Sequence, residues 1–153
     1  MRWVKLGVAA LLGGLLVVQV VPYGRDHDNP PVVAEPSWDS GETRELVVLA
    51  CFDCHSNETV WPWYSNVAPV SWLVQRDVDE GREDLNFSEW NQTQEGDESA
   101  ETVREGSMPP RAYLVTHPEA RLTDAELAVL AEGLAATFGE ESEDEKEEDE
   151  DDD

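Results

Sequence analysis

The sequence predicts an all-α fold, a small helical domain of about one hundred residues set between an apolar N-terminal stretch and an acidic C-terminal run. Three observations carry this. Apolar residues recur at i, i+3 and i+4 through Leu46, Val47, Leu49 and Ala50, and again through Leu127, Leu130, Ala131, Leu134 and Phe138. Thr123 and Glu126 make a capping box at the head of the second series, and Gly139 closes it. Proline and glycine punctuate the chain between these stretches, and no βαβ context is visible.

Taken in order, residues 1–23 read as a transmembrane signal anchor. From Trp3 to Tyr23 the only polar side chains are Lys5 and Gln19, a length that suits a bilayer crossing. Arg2 and Lys5 precede the run, whereas Asp26 and Asp28 follow it. The positive-inside rule then predicts a single pass through the cytoplasmic membrane, with the C-terminal domain on the extracytoplasmic side, periplasmic or outer. The rival is a cleaved signal peptide, although the exit Gln19-Val20-Val21-Pro22-Tyr23 lacks the small-residue cleavage pattern. Residues 24–40 form a linker: Pro30, Pro31 and Pro36 among acids favour an extended, solvated tether, with His27 a solvated histidine within it.

The domain spans residues 41–139. Ser40 serves as N-cap for a helix running into Cys51-Phe52-Asp53-Cys54-His55. Two thiols at i and i+3 share one face of a helical turn, so both sulfurs can reach the vinyl groups on one side of a porphyrin. The imidazole that follows can then meet the iron. Cys51 and Cys54 are therefore expected to anchor one covalent haem c, with His55 as proximal iron ligand. A zinc site would need four Cys/His ligands, and these are the only two cysteines. A redox dithiol and a plain disulfide stay open as alternatives.

Trp61, Trp63, Tyr64 and Trp72 crowd the next stretch, more rings than a small core requires. They are expected to line the haem pocket, the plainer reading being a Trp-rich core. Pro69 can open a helix that ends near Gly81, and Ser88 can cap a short turn of helix at Trp90. Residues 97–105 suit a short helix stopped by Gly106. Met108 follows in a Gly-Ser-Met-Pro-Pro loop, and a thioether there is the expected distal ligand, with His117 as the alternative and an open position third. A core methionine would more often sit in an apolar periodic run. Arg76, Arg82, Arg104 and Arg111 are candidates to pair with the haem propionates.

From residue 140 to 153 there are 12 acids and one lysine, net −11, which leaves −14 for the rest of a chain whose formal charge is −25. This disordered acidic tail and the acidic remainder exclude nucleic acid as a partner, because a polyanion is repelled. An acidic surface with so few lysines also fits a high-salt habitat, where counterions screen self-repulsion.

Several segments together resemble the haem-binding domain family of small exported cytochrome c-like proteins. They are Cys51-x-x-Cys54-His55-Ser56, Trp61-Pro62-Trp63-Tyr64, Ala68-Pro69-Val70-Ser71-Trp72, Gly81-Arg82, Leu85-Asn86-Phe87-Ser88-x-Trp90, Met108-Pro109-Pro110-x-x-Tyr113 and His117-Pro118. The resemblance covers residues 45–134 and implies a cytochrome c-like helical fold, covalent haem and an axial methionine in the Met-Pro-Pro loop. Similar sequences often have a histidine where this chain has Asp77, so no role is carried over to that position.

Two functions follow as expectations. One is a membrane-anchored monohaem c-type cytochrome that transfers single electrons to an unidentified redox protein, a carrier rather than an enzyme. The other is a haem-based sensor or peroxidase-like enzyme whose distal ligand can be displaced.

Overall fold

The structure, a computed structural model, describes residues 1–139. The acidic tail lies outside the described residues. Among the described residues, seven α-helices and two 3-10 turns make up the regular structure, and the β content is one bridge between Ala34 and Glu89.

Helix α1, Arg2–Val18, overturns the expected membrane anchor. It has 17 residues, a length of about 25 Å at 1.5 Å per residue, against roughly 30 Å of hydrocarbon. No helix among the described residues is long and apolar enough to cross a membrane. The single-pass topology, and the extracytoplasmic placement argued from it, lose their basis. The physical reason is Gln19. Its side chain donates to the Ala68 carbonyl at 2.7 Å and accepts from the Ala68 amide at 3.1 Å, so the apolar run is broken by a polar clasp onto the domain. Arg25 adds a bond to the same glutamine.

Residues 24–40 are extended, as their prolines require, but they are held to the domain rather than solvated. Val33 and Ala34 donate to the Ser88 carbonyl, and Trp90 donates to the Ala34 carbonyl. His27 stacks on Trp61 with ring centroids 4.6 Å apart. Glu35 meets Arg44 through a two-point ion pair at 2.6 and 2.7 Å.

Helix α2, Gly41–Ala50, starts as its sequence predicts, with the Ser40 hydroxyl accepting from the Thr43 amide. It passes through Cys51 into the four-residue α3, Phe52–His55. A 3-10 turn at Trp63–Asn66 leads to α4, Val70–Asp84, which starts after Pro69 and runs one turn beyond the expected stop at Gly81. Residues 85–90 do not form the expected short helix, because the Ser88 hydroxyl accepts from Asn57 instead of capping. Helix α5, Ser99–Glu105, ends at Gly106 in the left-handed region, φ 72°, as a C-cap glycine should. The six-residue α6, Arg111–Thr116, was not legible in the sequence. Helix α7, Asp124–Phe138, carries the expected capping box at Thr123 and Glu126.

The core gathers Leu46 and Val47 of α2, Phe52 of α3, Leu85, Phe87, Ala100 and Val103, and Leu130, Ala131 and Leu134 of α7. Val47 and Leu130 are fully buried, each contributing about 1.5–3 kcal/mol by leaving water. Trp38, Trp90 and Phe138 close one end as an aromatic cluster, Trp38 edge-on to Phe138 and Trp90 tilted against it at 4.7 Å. Helix α7 meets α2 where Gly133 faces Thr43, a site with no room for a side chain.

Candidate functional site

The site is built on the α2–α3 junction. Cys51 is the C-cap of α2 and Cys54 lies in α3, both unbridged and half-buried, in the one-turn relation their spacing predicts. Burial, with Cys54 close by, pushes the Cys51 thiol up to about 12; burial, then the Asp53 and Asp77 carboxylates, push Cys54 up to about 11. Both thiols therefore stay protonated near neutrality. That is the opposite of a redox-active dithiol, which needs a thiolate.

His55 is held from two directions by the segment after α4. Its Nδ1 lies 3.0 Å from the Leu85 carbonyl oxygen, and its own carbonyl accepts from the Phe87 amide at 2.8 Å. A carbonyl only accepts, so Nδ1 carries the proton and Nε2 keeps its lone pair for a metal. The segment is locked in turn by buried polar bonds. Asn86 donates to Asn57, and the Asn57 amide and the Ser88 amide use the Ser88 hydroxyl and the Asn86 side-chain oxygen respectively. This explains in physical terms why asparagine, phenylalanine and serine stand where they do. The donor set fits a covalently attached haem: two thiols one turn apart, not bridged to each other, beside an imidazole committed to present Nε2.

The Met-Pro-Pro arm reaches the same turn. Met108 follows the end of α5, its amide donating to the Thr102 carbonyl, and the residue is 36% exposed. Tyr113 on α6 donates from its hydroxyl to Asp53 Oδ2 at 2.9 Å, and Asp53 stands between the two cysteines. His117 is already engaged. Its ring stacks on Tyr113 at 4.0 Å, its Nδ1 lies 3.1 Å from the Tyr113 carbonyl, and its Nε2 lies 3.4 Å from the Tyr64 hydroxyl.

The expected pocket residues separate. Tyr64 joins Thr116 and His117 beside the arm. Trp61 turns to the linker, stacked on His27 and donating to Asn29. Trp63 is 79% exposed. Trp72 is half-buried on α4, its indole N–H enclosed without a partner, and the neighbouring Ser71 hydroxyl and Arg25 Nε share that condition. Of the candidate propionate partners, Arg82 is committed elsewhere: it donates to the Ser56 and Asp28 carbonyls, Asn29 and Thr59. Arg76 pairs with Asp77 and Glu80. Sequence reasoning missed Asp53, whose place between the cysteines offered no signal by itself, and the partnership of Tyr113 with it.

The sequence model of a family described as a haem-binding domain matches residues 13–136. No curated protein matches the chain, and no solved structure does.

Proposed function

The chain belongs to the haem-binding domain family and binds haem, and from that premise we propose that it is a monohaem c-type cytochrome carrying single electrons. In this reading Cys51 and Cys54 form the thioether bonds, His55 Nε2 is the proximal ligand and Met108 the distal one. The observation that carries it is the bond from His55 Nδ1 to the Leu85 carbonyl, which fixes the tautomer a metal needs beside two unbridged thiols.

Haem bound in this way supplies a one-electron couple at iron, its potential raised by a methionine ligand. The residues of the chain do the rest. Leu85 and Phe87 hold the His55 ring and backbone, so His55 would keep its orientation with haem bound. Engagement of His117 by Tyr113 and Tyr64 favours Met108 for the remaining position. The acidic surface suits a redox partner with a basic docking face.

A second reading, a sensor or peroxidase-like protein with a displaceable distal ligand, draws on the exposure of Met108.

The test is a reduced pyridine haemochrome spectrum with intact mass on protein matured in a host competent for cytochrome c assembly, for wild type, Met108→Ala and His117→Ala. The reading expects a mass increased by one haem that survives denaturation, and a ferric spectrum changed by Met108→Ala but not by His117→Ala. Protein without covalent haem sinks the reading. Fast cyanide or carbon monoxide binding by the wild type moves the choice to the displaceable ligand.

A further inference from the structure

The Met108 loop is tied to α5 on one side and, through helix α6, to the rest of the domain on the other. On its N-terminal side the Ser107 and Met108 amides and the Ser107 hydroxyl all donate to the Thr102 carbonyl, at 3.1, 3.2 and 2.9 Å. Pro109 and Pro110 then contribute no amide hydrogens, and the backbone is next held where the Pro110 carbonyl accepts from the Leu114 amide at 3.2 Å. Helix α6, which follows, has no fully buried residue; only its Tyr113 and Leu114 are half-buried. What ties it to the haem-attachment turn is the Tyr113 hydroxyl bond to Asp53 Oδ2, 2.9 Å long and spanning sixty residues of chain. The bonds from Tyr64 to Thr116 and from Arg121 to the Leu114 carbonyl run elsewhere and are exposed.

Asp53 is a rigid anchor for this bond. Its other carboxylate oxygen takes the Val60 amide at 2.9 Å, and its carbonyl takes the Thr59 hydroxyl at 2.8 Å. The Tyr113 ring is fixed from its face by the parallel His117 ring, 15° out of plane at 4.0 Å. Burial, and then the Asp53 carboxylate, raise the Tyr113 hydroxyl well above the ordinary phenol range, so the donor keeps its proton.

We propose that Tyr113 is a positioning residue: through Asp53 it seats the Met108 loop against the haem-attachment turn and so sets how firmly the distal methionine is held. The inference rests on the His55/Met108 reading above. A phenol bond to a carboxylate is among the stronger neutral-to-charged hydrogen bonds, and its loss should release the loop roughly tenfold or more.

The test uses the full chain carrying haem, with imidazole as the competing ligand. Imidazole affinity and the long-wavelength methionine-to-iron charge-transfer band of the ferric protein are read for wild type, Tyr113→Phe, Asp53→Ala, the double variant and Met108→Ala. Tyr113→Phe should weaken the band and raise imidazole affinity about tenfold or more. Asp53→Ala should do the same, and the double variant no more than either. If Tyr113→Phe does not load haem, Asp53→Ala decides alone by the same criterion. Wild-type imidazole affinity in the variants, even with a lowered melting temperature, overturns the positioning role while a band abolished by Met108→Ala leaves the axial reading intact. A band that survives Met108→Ala brings down both.

Discussion

A Cβ built on Gly81 of α4 would lie 2.8 Å from the Cys54 carbonyl oxygen and 3.0 Å from Cys54 Cβ. The helix and the Cys51–His55 turn thus meet backbone to backbone, and no flexible side chain is present to give way. In an open helix, replacing glycine by alanine stabilises by about 0.5–1 kcal/mol. Here the steric term has the larger magnitude, so Gly81→Ala should destabilise by about 1–3 kcal/mol. Thermal unfolding checks the sign: a raised melting temperature would show that α4 and the turn part easily.

Arg82 should be intolerant of lysine. Four acceptors from two segments, the linker at Asp28 and Asn29 and the loop at Ser56 and Thr59, surround its guanidinium at 2.8 to 3.0 Å. An ammonium presents three donors from a single nitrogen and cannot span them. Arg82→Lys should lower unfolding free energy by roughly 2 kcal/mol in a denaturant titration. Arg76→Lys, at an exposed pair on the same helix, should leave it unchanged within the error of the titration. Equal effects would refute the assignment of Arg82 as the tie between linker and domain.

The linker contact carries a pH signature. The bond from Arg44 lowers the Glu35 carboxyl below its ordinary value, with burial opposing in part. A depressed folded value means the stabilisation is fully present above the unfolded carboxylate value, about 4.3, and is lost as pH falls through the folded one. The pair is partly solvated, with side-chain exposures of 42% for Arg44 and 26% for Glu35, so its worth is at most about 1 kcal/mol. Wild type should exceed Glu35→Gln by that amount at neutral pH, and the gap should close in acid unfolding series below about pH 4. A gap independent of pH would assign the effect to packing.

Single removal of either thiol should leave one thioether. Cys51→Ser and Cys54→Ser are each expected to retain haem through denaturation with a shifted haemochrome band, and the double variant to release it under the same conditions. Haem retained covalently by the double variant would refute attachment through this pair.

Much of this could be read from the chain because the signals were local. Ser40, Gly106 and the Thr123–Glu126 box fix helix ends through bonds made within a few residues, and each behaves as its position suggests. The spacing of Cys51, Cys54 and His55 needed only one turn of helix. Where the sequence misled, a distant partner decided. Gln19 looked like one polar interruption in an apolar run, but Ala68, forty-nine residues on, makes it a clasp. Ser88 looked like a cap until Asn57 took its hydroxyl. Helix α6 is too short for periodicity to reveal, and Asp53 acquires meaning only when Tyr113 arrives from sixty residues away.

The acceptor that orients His55 is part of the main chain. Exchanging the side chain at position 85 cannot erase it, whereas an aspartate or glutamine in that role would be one codon from loss. The imidazole's orientation is therefore inherited with the path of the backbone. Drift in the surrounding sequence can retune packing around the ring, but to strip it of its partner the loop itself must move.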